Sequence, residues 1–158
     1  MGVEIERKFL VADDSWRTEV VRSTELRQGY LALTERCSVR VRIAGDKANL
    51  NFKGLTVGIS RSEFEYPVPL EDAEAMLEEY CGADVIEKRR HLVDHAGHRW
   101  EVDEFAGENA GLVVAELELD SEDEAFEPPV WLGEEVTGDV RYYNVALVQN
   151  PYGSWADE

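Results

Sequence analysis

Alternation of apolar and charged residues with a period of two constrains this 158-residue chain more than any other feature of its sequence. Successive side chains on a strand point to opposite faces, so such alternation predicts a strand with one apolar and one charged face. The first example spans residues 3–11, where odd positions are mostly apolar and even positions hold Glu4, Glu6 and Lys8. The pattern recurs at residues 37–43, 49–53, 61–66, 88–90, 100–103 and 112–120. The chain is therefore predicted to be built mainly from strands.

Turn signals at residues 44–46, 54–58 and 95–98 separate these segments, which predicts a largely antiparallel, α+β structure. Helical spacing predicts a helix at residues 71–80 and shorter helices at 15–21, 122–126 and 144–148, with an irregular stretch at 128–140. A closed barrel removes exposed sheet edges, and an eight-stranded barrel has room for a small ligand. We expect an eight-stranded closed tunnel barrel with a few flanking helices. It would form one domain over residues 1–155, with a frayed acidic tail at 156–158.

The net negative charge of the chain limits the kinds of molecule that it is expected to bind. With 34 acidic against 16 basic residues the formal charge is −18, which argues against general binding to nucleic acid or to anionic membranes. The sequence has no apolar run of membrane-spanning length and no secretory signal pattern at its start. Two cysteines, Cys37 and Cys81, are too few for a disulfide framework and favour a reducing, cytoplasmic location. The oligomeric state is left open, a homodimer included.

The charged faces have two interpretations. Charged residues on one face of an antiparallel sheet are usually solvated, and the faces would then form the outside of the barrel. Two observations favour the inside. Few basic residues are present, yet many fall on these faces: Lys8, Arg40, Arg42, Lys53, Arg61, Lys88 and Arg90. Carboxylates also repeat two residues apart, about 7 Å along a strand, as Glu4/Glu6, Glu63/Glu65, Glu101/Asp103 and Glu116/Glu118.

An inward arrangement would give this crowding a chemical use. Like charges side by side cost stability unless a cation or ligand compensates them. Carboxylate oxygens are ligands that Mg²⁺ and Mn²⁺ prefer, and arginine and lysine are natural partners for phosphate. Acids on one side of a cavity and bases on the other therefore suit a metal–polyphosphate complex.

The sequence resembles a known family along essentially its whole length. Residues 4–8, Glu-Ile-Glu-Arg-Lys, match the N-terminal ExExK motif of the CYTH superfamily, also called triphosphate tunnel metalloenzymes. Further matching segments follow in order at 28–31, 39–42, 51–54, 61–65, 87–90, 100–103, 115–118, 134–137 and 141–144. The chain is most similar to short bacterial members that resemble inorganic triphosphatases.

The resemblance implies a tunnel that binds a divalent metal, Mg²⁺ or Mn²⁺, together with a small anionic substrate. It implies metal ligands at Glu4, Glu6, Glu116, Glu118 and Asp103. It implies substrate-binding residues at Lys8, Arg40, Arg42, Lys53, Lys88, Arg90 and Arg141. Catalytic roles fall to Glu116, Glu118, Lys88 and Asp103. Several relatives carry a lysine where this chain has Val140, and roles for Tyr30, Arg61, Glu63, Glu65 and Glu101 are left open.

The expected activity is metal-dependent hydrolysis of inorganic triphosphate to pyrophosphate and phosphate. The alternatives within the family are an adenylate cyclase, a thiamine triphosphatase and a nucleoside triphosphatase. A second class is a binding module for polyphosphate or nucleotides, which would need the bases without all of the metal acids. The sequence has no Walker-type phosphate loop. His91, His95 and His98 fall around a predicted turn, which disfavours zinc, and both cysteines are predicted to be inert.

Overall fold

A computed structural model describes residues 2–157, with side chains described through residue 155. Within this described range nine strands form one continuous sheet. Their bounds are β1 Gly2–Val11, β2 Val20–Leu33, β3 Cys37–Ala44, β4 Lys47–Gly54, β5 Ser60–Val68, β6 Val85–His95, β7 His98–Phe105, β8 Val113–Glu118 and β9 Leu132–Glu135. The sheet is antiparallel throughout, as the turn signals predicted.

The first eight strands close into a barrel, which confirms the predicted architecture. They lie in the order β5-β4-β3-β2-β6-β7-β8-β1, and the sheet closes where β1 pairs with β5. At the closure Glu4 is the register partner of Arg61. Along the other pairing of β1, Glu6 faces Glu118 and Lys8 faces Glu116. Closure therefore brings the charged positions of sequence-distant strands next to one another.

Two predictions of local structure were wrong. Residues 132–135 lie within the stretch predicted to be irregular, but they form β9, which pairs with β1 near Phe9 and Val11. Residues 122–126 are a turn followed by irregular chain, with no helix. Glu124 Oε1 accepts a hydrogen bond from the Asp120 amide, and its Oε2 lies 2.7 Å from His98 Nε2. The predicted capping box therefore does not form: Glu124 accepts from the amide of Asp120 and not of Ser121, and the Ser121 hydroxyl donates to Asp123. The Glu124 side chain also contacts β7, and Pro128 and Pro129 follow.

The other predicted helices are present. Residues 70–81 form α1, Leu70–Met76, and a π-helical turn, Leu77–Cys81. A 3₁₀ helix occupies Ser15–Glu19, and α2 spans Asn144–Gln149. Another 3₁₀ helix, Tyr152–Asp157, carries the backbone through part of the predicted tail, whereas Glu158 lies outside the described residues. Among the described residues no helix is long and apolar enough to cross a membrane.

Three apolar clusters hold these elements on the barrel. Ala73 of α1 and Leu77 of the π-helical turn pack against Val41 and Ile43 on the outer face of β3. A second cluster centres on aromatic rings outside the barrel, including Trp100 and Trp131 with centroids 5.7 Å apart. At one end of the barrel, Leu147 of α2 packs in one cluster with the inward positions Ile86, Phe105 and Val114. The charged interior is therefore bounded at that end by apolar side chains.

Gly29 of β2 permits the close approach of α1 and its π-helical turn to the barrel. A Cβ at this position would lie 2.5 Å from Cys81 Sγ and 3.1 Å from Leu77 Cδ2. We expect Gly29→Ala to lower the free energy of unfolding by about 1–3 kcal/mol, the usual cost of overpacking. Chemical denaturation would measure this loss, and Cys81→Ala should restore part of it. A Gly29→Ala protein as stable as the parent would contradict the packing described.

Candidate active site

A cavity of about 270 Å³ lies inside the barrel and is lined mainly by charged side chains. Every barrel strand contributes: Glu4, Glu6 and Lys8 from β1, Tyr30 from β2, Arg40 and Arg42 from β3, Lys53 from β4, Arg61, Glu63 and Glu65 from β5, Lys88 and Arg90 from β6, Glu101 from β7, and Glu116 and Glu118 from β8. The charged faces therefore point inward. Their apolar counterparts, such as Phe9 and Ala115, pack in the clusters outside.

Cations with few acidic neighbours occupy one side of the cavity. Arg40 is 5% exposed, and its Nε is buried with no hydrogen-bond partner among the described residues. Arg42 Nε donates to Gln28 Oε1 at 2.9 Å. Burial, with Arg40 and Arg90 nearby, lowers the pKa of Arg42 to about 9. A guanidinium whose charge is opposed by neighbouring cations would gain stability from a bound anion.

Asp103 links two of the predicted phosphate-binding residues. Its carboxylate accepts from Arg90 Nε and Nη2, both at 2.8 Å, and from Lys88 Nζ at 2.8 Å. Burial lowers the pKa of Lys88 to about 8, because the opposing effect of the Asp103 carboxylate is smaller and the Arg90 charge lowers the pKa further. Arg90 Nη1 also contacts Glu101 at 2.8 Å. Asp103 is fully buried and does not line the cavity, so the structure places it behind the two cations.

Carboxylates crowd together on the opposite side. Glu6 lies opposite Glu118 in the register, and its carboxyl is hydrogen-bonded to Glu116. Burial and the neighbouring Glu116 raise the pKa of Glu6 to about 8. Glu116 remains ionised because Lys8 and Arg90 offset its burial and hold its pKa well below the usual range. Burial and Glu4 raise the pKa of Glu118.

Glu4 belongs to a separate ion-pair network. Its carboxylate lies 2.9 Å from Arg61 Nε and 3.3 Å from Lys53 Nζ, and Lys53 also contacts Glu63 at 3.1 Å. Burial raises the pKa of Glu4, but Lys53 and Arg61 outweigh it and bring that pKa to about 2. The structure therefore gives Arg61 and Glu63 partners within the cavity wall, roles that the sequence left open.

The acids fit a divalent cation that is shared with a phosphate ligand. Within residues 2–157 no three His, Cys, Asp or Glu side chains are grouped closely enough to hold a metal alone. Mg²⁺, however, commonly binds one or two carboxylates and completes its shell with water and substrate phosphate. Glu6 and Glu116 provide two such carboxylates, and because the Glu116 charge raises the pKa of Glu6, a cation between them would compensate both. The donor set consists of the hard oxygens that Mg²⁺ and Mn²⁺ prefer.

The structure does not bring every predicted residue to the cavity. Arg141 lies outside the cavity lining, where its guanidinium pairs with Asp139 at 2.7 Å and packs over the Tyr142 and Trp155 rings. Val140 is 64% exposed and also lies outside the lining. Tyr30 lines the cavity, and Glu65 accepts a hydrogen bond from Asn51 Nδ2 at 2.8 Å.

Sequence reasoning missed two neutral residues that the structure places among the cations. Gln28 of β2 is fully buried beside Arg42, and Asn144 at the start of α2 lines the cavity beside Lys88. Both lie in segments that matched the family, but the site was predicted from charged residues alone, and glutamine and asparagine carry no charge. The one available signal was the position of Gln28, two residues before Tyr30, on the inward parity of β2.

Comparisons with known proteins agree with this architecture. The CYTH domain family model matches residues 2–149. The inorganic triphosphatase of Acetivibrio thermocellus is 48% identical over 157 residues, covering 99% of this chain and 100% of that protein. The inorganic triphosphatase of Nitrosomonas europaea is 41% identical over 150 residues, covering 91% and 95%.

Solved structures show the same fold. A crystal structure described as an inorganic triphosphatase is 38% identical, with a TM-score of 0.66 and coverage of 94% of this chain and 95% of that one. A putative adenylate cyclase from Bacillus halodurans, 15% identical with a TM-score of 0.60 and coverage of 78% and 84%, shares the fold alone. The family model covers nearly the whole chain, and the two relatives match it over most of their length. The chain therefore belongs to the CYTH domain family.

Proposed function

We propose that this protein is a phosphoanhydride hydrolase that converts inorganic triphosphate to pyrophosphate and phosphate with a divalent metal ion. The observation that carries the proposal is a closed barrel whose interior has underpaired cations on one side and crowded carboxylates on the other. Two relatives named inorganic triphosphatase, 48% and 41% identical, support the choice of substrate. The small, polar cavity suits a compact anion.

The cations would bind and orient the phosphate chain. Arg40, Arg42, Lys53 and Lys88 line the cavity, and Lys8 and Arg90 lie between them and the acids. Charge-assisted hydrogen bonds to phosphate are short and strong, and arginine can make them in pairs. Asp103 would act by holding Lys88 and Arg90 in place, since its own oxygens are occupied by them.

Glu4, Glu6, Glu116 and Glu118 would hold Mg²⁺ or Mn²⁺ jointly with the phosphates, and Glu4 is the one of the four that is already paired with Lys53 and Arg61. The ion, when bound, would neutralise charge on the phosphates and lower the pKa of a coordinated water. Both metals favour carboxylate oxygen, so the ligand types do not distinguish Mg²⁺ from Mn²⁺. Activity measurements with each metal would do so.

The reaction needs water to attack a terminal phosphorus while the bond to the bridging oxygen breaks and pyrophosphate leaves. Glu118 is an exposed acid at the edge of the cavity with a raised pKa, which suits it to accept the proton of the attacking water. Glu116 is the alternative acceptor. The cations would stabilise the charge on the departing pyrophosphate, which makes electrostatic binding the main contribution of the protein.

A substrate panel tests the proposal. Phosphate release would be measured from tripolyphosphate, ATP and thiamine triphosphate, each with Mg²⁺, with Mn²⁺ and with EDTA. We expect tripolyphosphate to be hydrolysed fastest and EDTA to abolish turnover. Release of cyclic AMP from ATP would favour a cyclase, and tight binding of tripolyphosphate without metal-dependent turnover would favour a binding module.

We also propose a cytoplasmic location. Cys37 and Cys81 are free thiols in the structure, as expected for a protein in a reducing compartment. The oligomeric state, a homodimer included, can be measured by light scattering on the purified chain.

A further inference from the structure

A chain of neutral amides runs between two of the cations that line the cavity. Arg42 Nε donates to Gln28 Oε1 at 2.9 Å, and Gln28 Nε2 donates to Asn144 Oδ1 at 3.2 Å. Lys88 Nζ donates to the same Asn144 oxygen at 3.0 Å. These three hydrogen bonds join β3, β2, α2 and β6. We call the chain Arg42–Gln28–Asn144–Lys88 the amide bridge.

The orientation of the amide bridge is fixed by its ends. Arginine and lysine are donors without an acceptor, so each must meet an amide oxygen. Gln28 then presents its NH₂ group to Asn144, whose oxygen is the one acceptor that serves both Gln28 and Lys88. Reversing either amide would place two donors or two acceptors face to face. Gln28 is fully buried, so this arrangement cannot exchange its partners for bulk water.

The amide bridge differs chemically from the other contacts of the cavity cations. Lys53 and Lys88 contact the carboxylates of Glu4 and Asp103, and Arg90 binds Asp103. A carboxylate fixes a cation but also cancels its charge. An amide oxygen fixes it and leaves the charge for a ligand, which matters most for Arg42 because Arg40 and Arg90 oppose its charge.

We propose that Gln28 and Asn144 are positioning residues that hold Arg42 and Lys88 in place for phosphate, and that the amide contact of Arg42 leaves its positive charge uncancelled. The same bonds tie α2 to the anion-binding side of the cavity, since Asn144 is its first residue. The inference rests on the proposed function, because it concerns how the cavity grips a triphosphate.

The test is calorimetric binding of tripolyphosphate to the full chain in EDTA, alongside the steady-state KM and kcat with Mg²⁺. Gln28→Glu keeps the size of the side chain but places a carboxylate on Arg42, and we expect it to weaken tripolyphosphate binding about tenfold or more. Gln28→Met adds no charge beside Arg42 but removes both the acceptor for Arg42 and the donor to Asn144, so a smaller loss is expected. Gln149→Glu, the same change at an exposed position of α2, is the matched control and should bind like the parent.

A double-mutant cycle separates positioning from a merely structural role. With Arg42→Gln already present, Gln28→Glu has no guanidinium to neutralise, so its effect on binding should fall to less than about twofold. An equal loss in both backgrounds would overturn the proposal. So would a Gln28→Glu protein that binds within about twofold of the parent. If Gln28→Glu does not fold, Asn144→Asp replaces it. Its carboxylate would be the second one beside Lys88, after Asp103, so weaker tripolyphosphate binding is again expected, with the same limit for rejection.

The outcomes also distinguish this inference from the proposed function. A parent protein that binds tripolyphosphate without hydrolysing it would contradict the proposed hydrolase activity. The role of the amide bridge would then be tested by the binding measurements alone. A parent that hydrolyses tripolyphosphate while Gln28→Glu and Asn144→Asp bind it normally would defeat only the inference. A parent that does not bind tripolyphosphate would overturn both.

Discussion

Replacing Glu116 by glutamine is expected to lower kcat/KM for tripolyphosphate by about 10²–10³-fold, the usual cost of removing one electrostatic group from an active site. Glu116 is the buried carboxylate at which the two sides of the cavity meet. Its oxygens lie 3.6 Å from Lys8 Nζ and 3.8 Å from Arg90 Nη2, and Glu6 hydrogen-bonds to it. Glutamine has the same shape but no negative charge, so both the cations and a divalent metal would lose a partner.

Phosphate release at a series of Mg²⁺ concentrations measures this effect, because loss of a metal ligand should also raise the Mg²⁺ concentration needed for half-maximal rate. Glu127→Gln, at an exposed position away from the cavity, is the matched control and should match the parent. A Glu116→Gln protein that melts like the parent and retains activity within about tenfold would contradict the role assigned to this carboxylate.

Replacing Arg40 by glutamine should separate function from stability. Its guanidinium lies in the cavity wall with an unpartnered Nε, and its charge lowers the pKa values of Arg42 and Lys53. A charge-assisted hydrogen bond contributes about 1.5–3 kcal/mol, so loss of Arg40 should reduce kcat/KM for tripolyphosphate by about 10–150-fold, mainly through KM. The folded protein without ligand would lose a repulsion, so its melting temperature should stay the same or rise.

Steady-state kinetics and thermal melting of the same preparations test both halves of this prediction. Arg36→Gln removes the same charge from an exposed position just before β3 and serves as the control. A lower melting temperature for Arg40→Gln together with an unchanged KM would show that Arg40 is a structural residue. Proteins commonly retain a destabilising charge in an active site because the ligand needs it, so stability is lower than it could be.

The sequence predicted the strands best where the alternation of residues is uninterrupted. In β1 and β3 every second residue falls on the same face, and the barrel keeps those faces. β2 is the longest strand, yet no alternation was recognised in it. Its pairing shifts register between Val20 and Arg22 and again between Tyr30 and Ala32, and such irregularities break the period of two.

The candidate site was predicted unevenly for a similar reason. Charged residues on the inward parity, such as Lys53 and Glu118, do line the cavity. Asp103 shares that parity but lies behind Arg90 and Lys88, because β7 comes nearer to the apolar end of the barrel at this residue than at Glu101. Arg141 lies in a 3₁₀ turn, where parity has no meaning, and its side chain turns to Asp139.

By itself the sequence determined that the chain consists largely of two-faced strands, that one face of the alternating segments carries most of their charge, and that the chain resembles CYTH proteins. Alternation separates two faces but does not say which is inside. Only closure of β1 on β5 decided that, by surrounding the charged faces and leaving the apolar ones to be covered by helices and loops. Tertiary structure alone also placed Gln28 beside Arg42 and Asn144 beside Lys88, since these contacts join residues 14 and 56 positions apart on different elements.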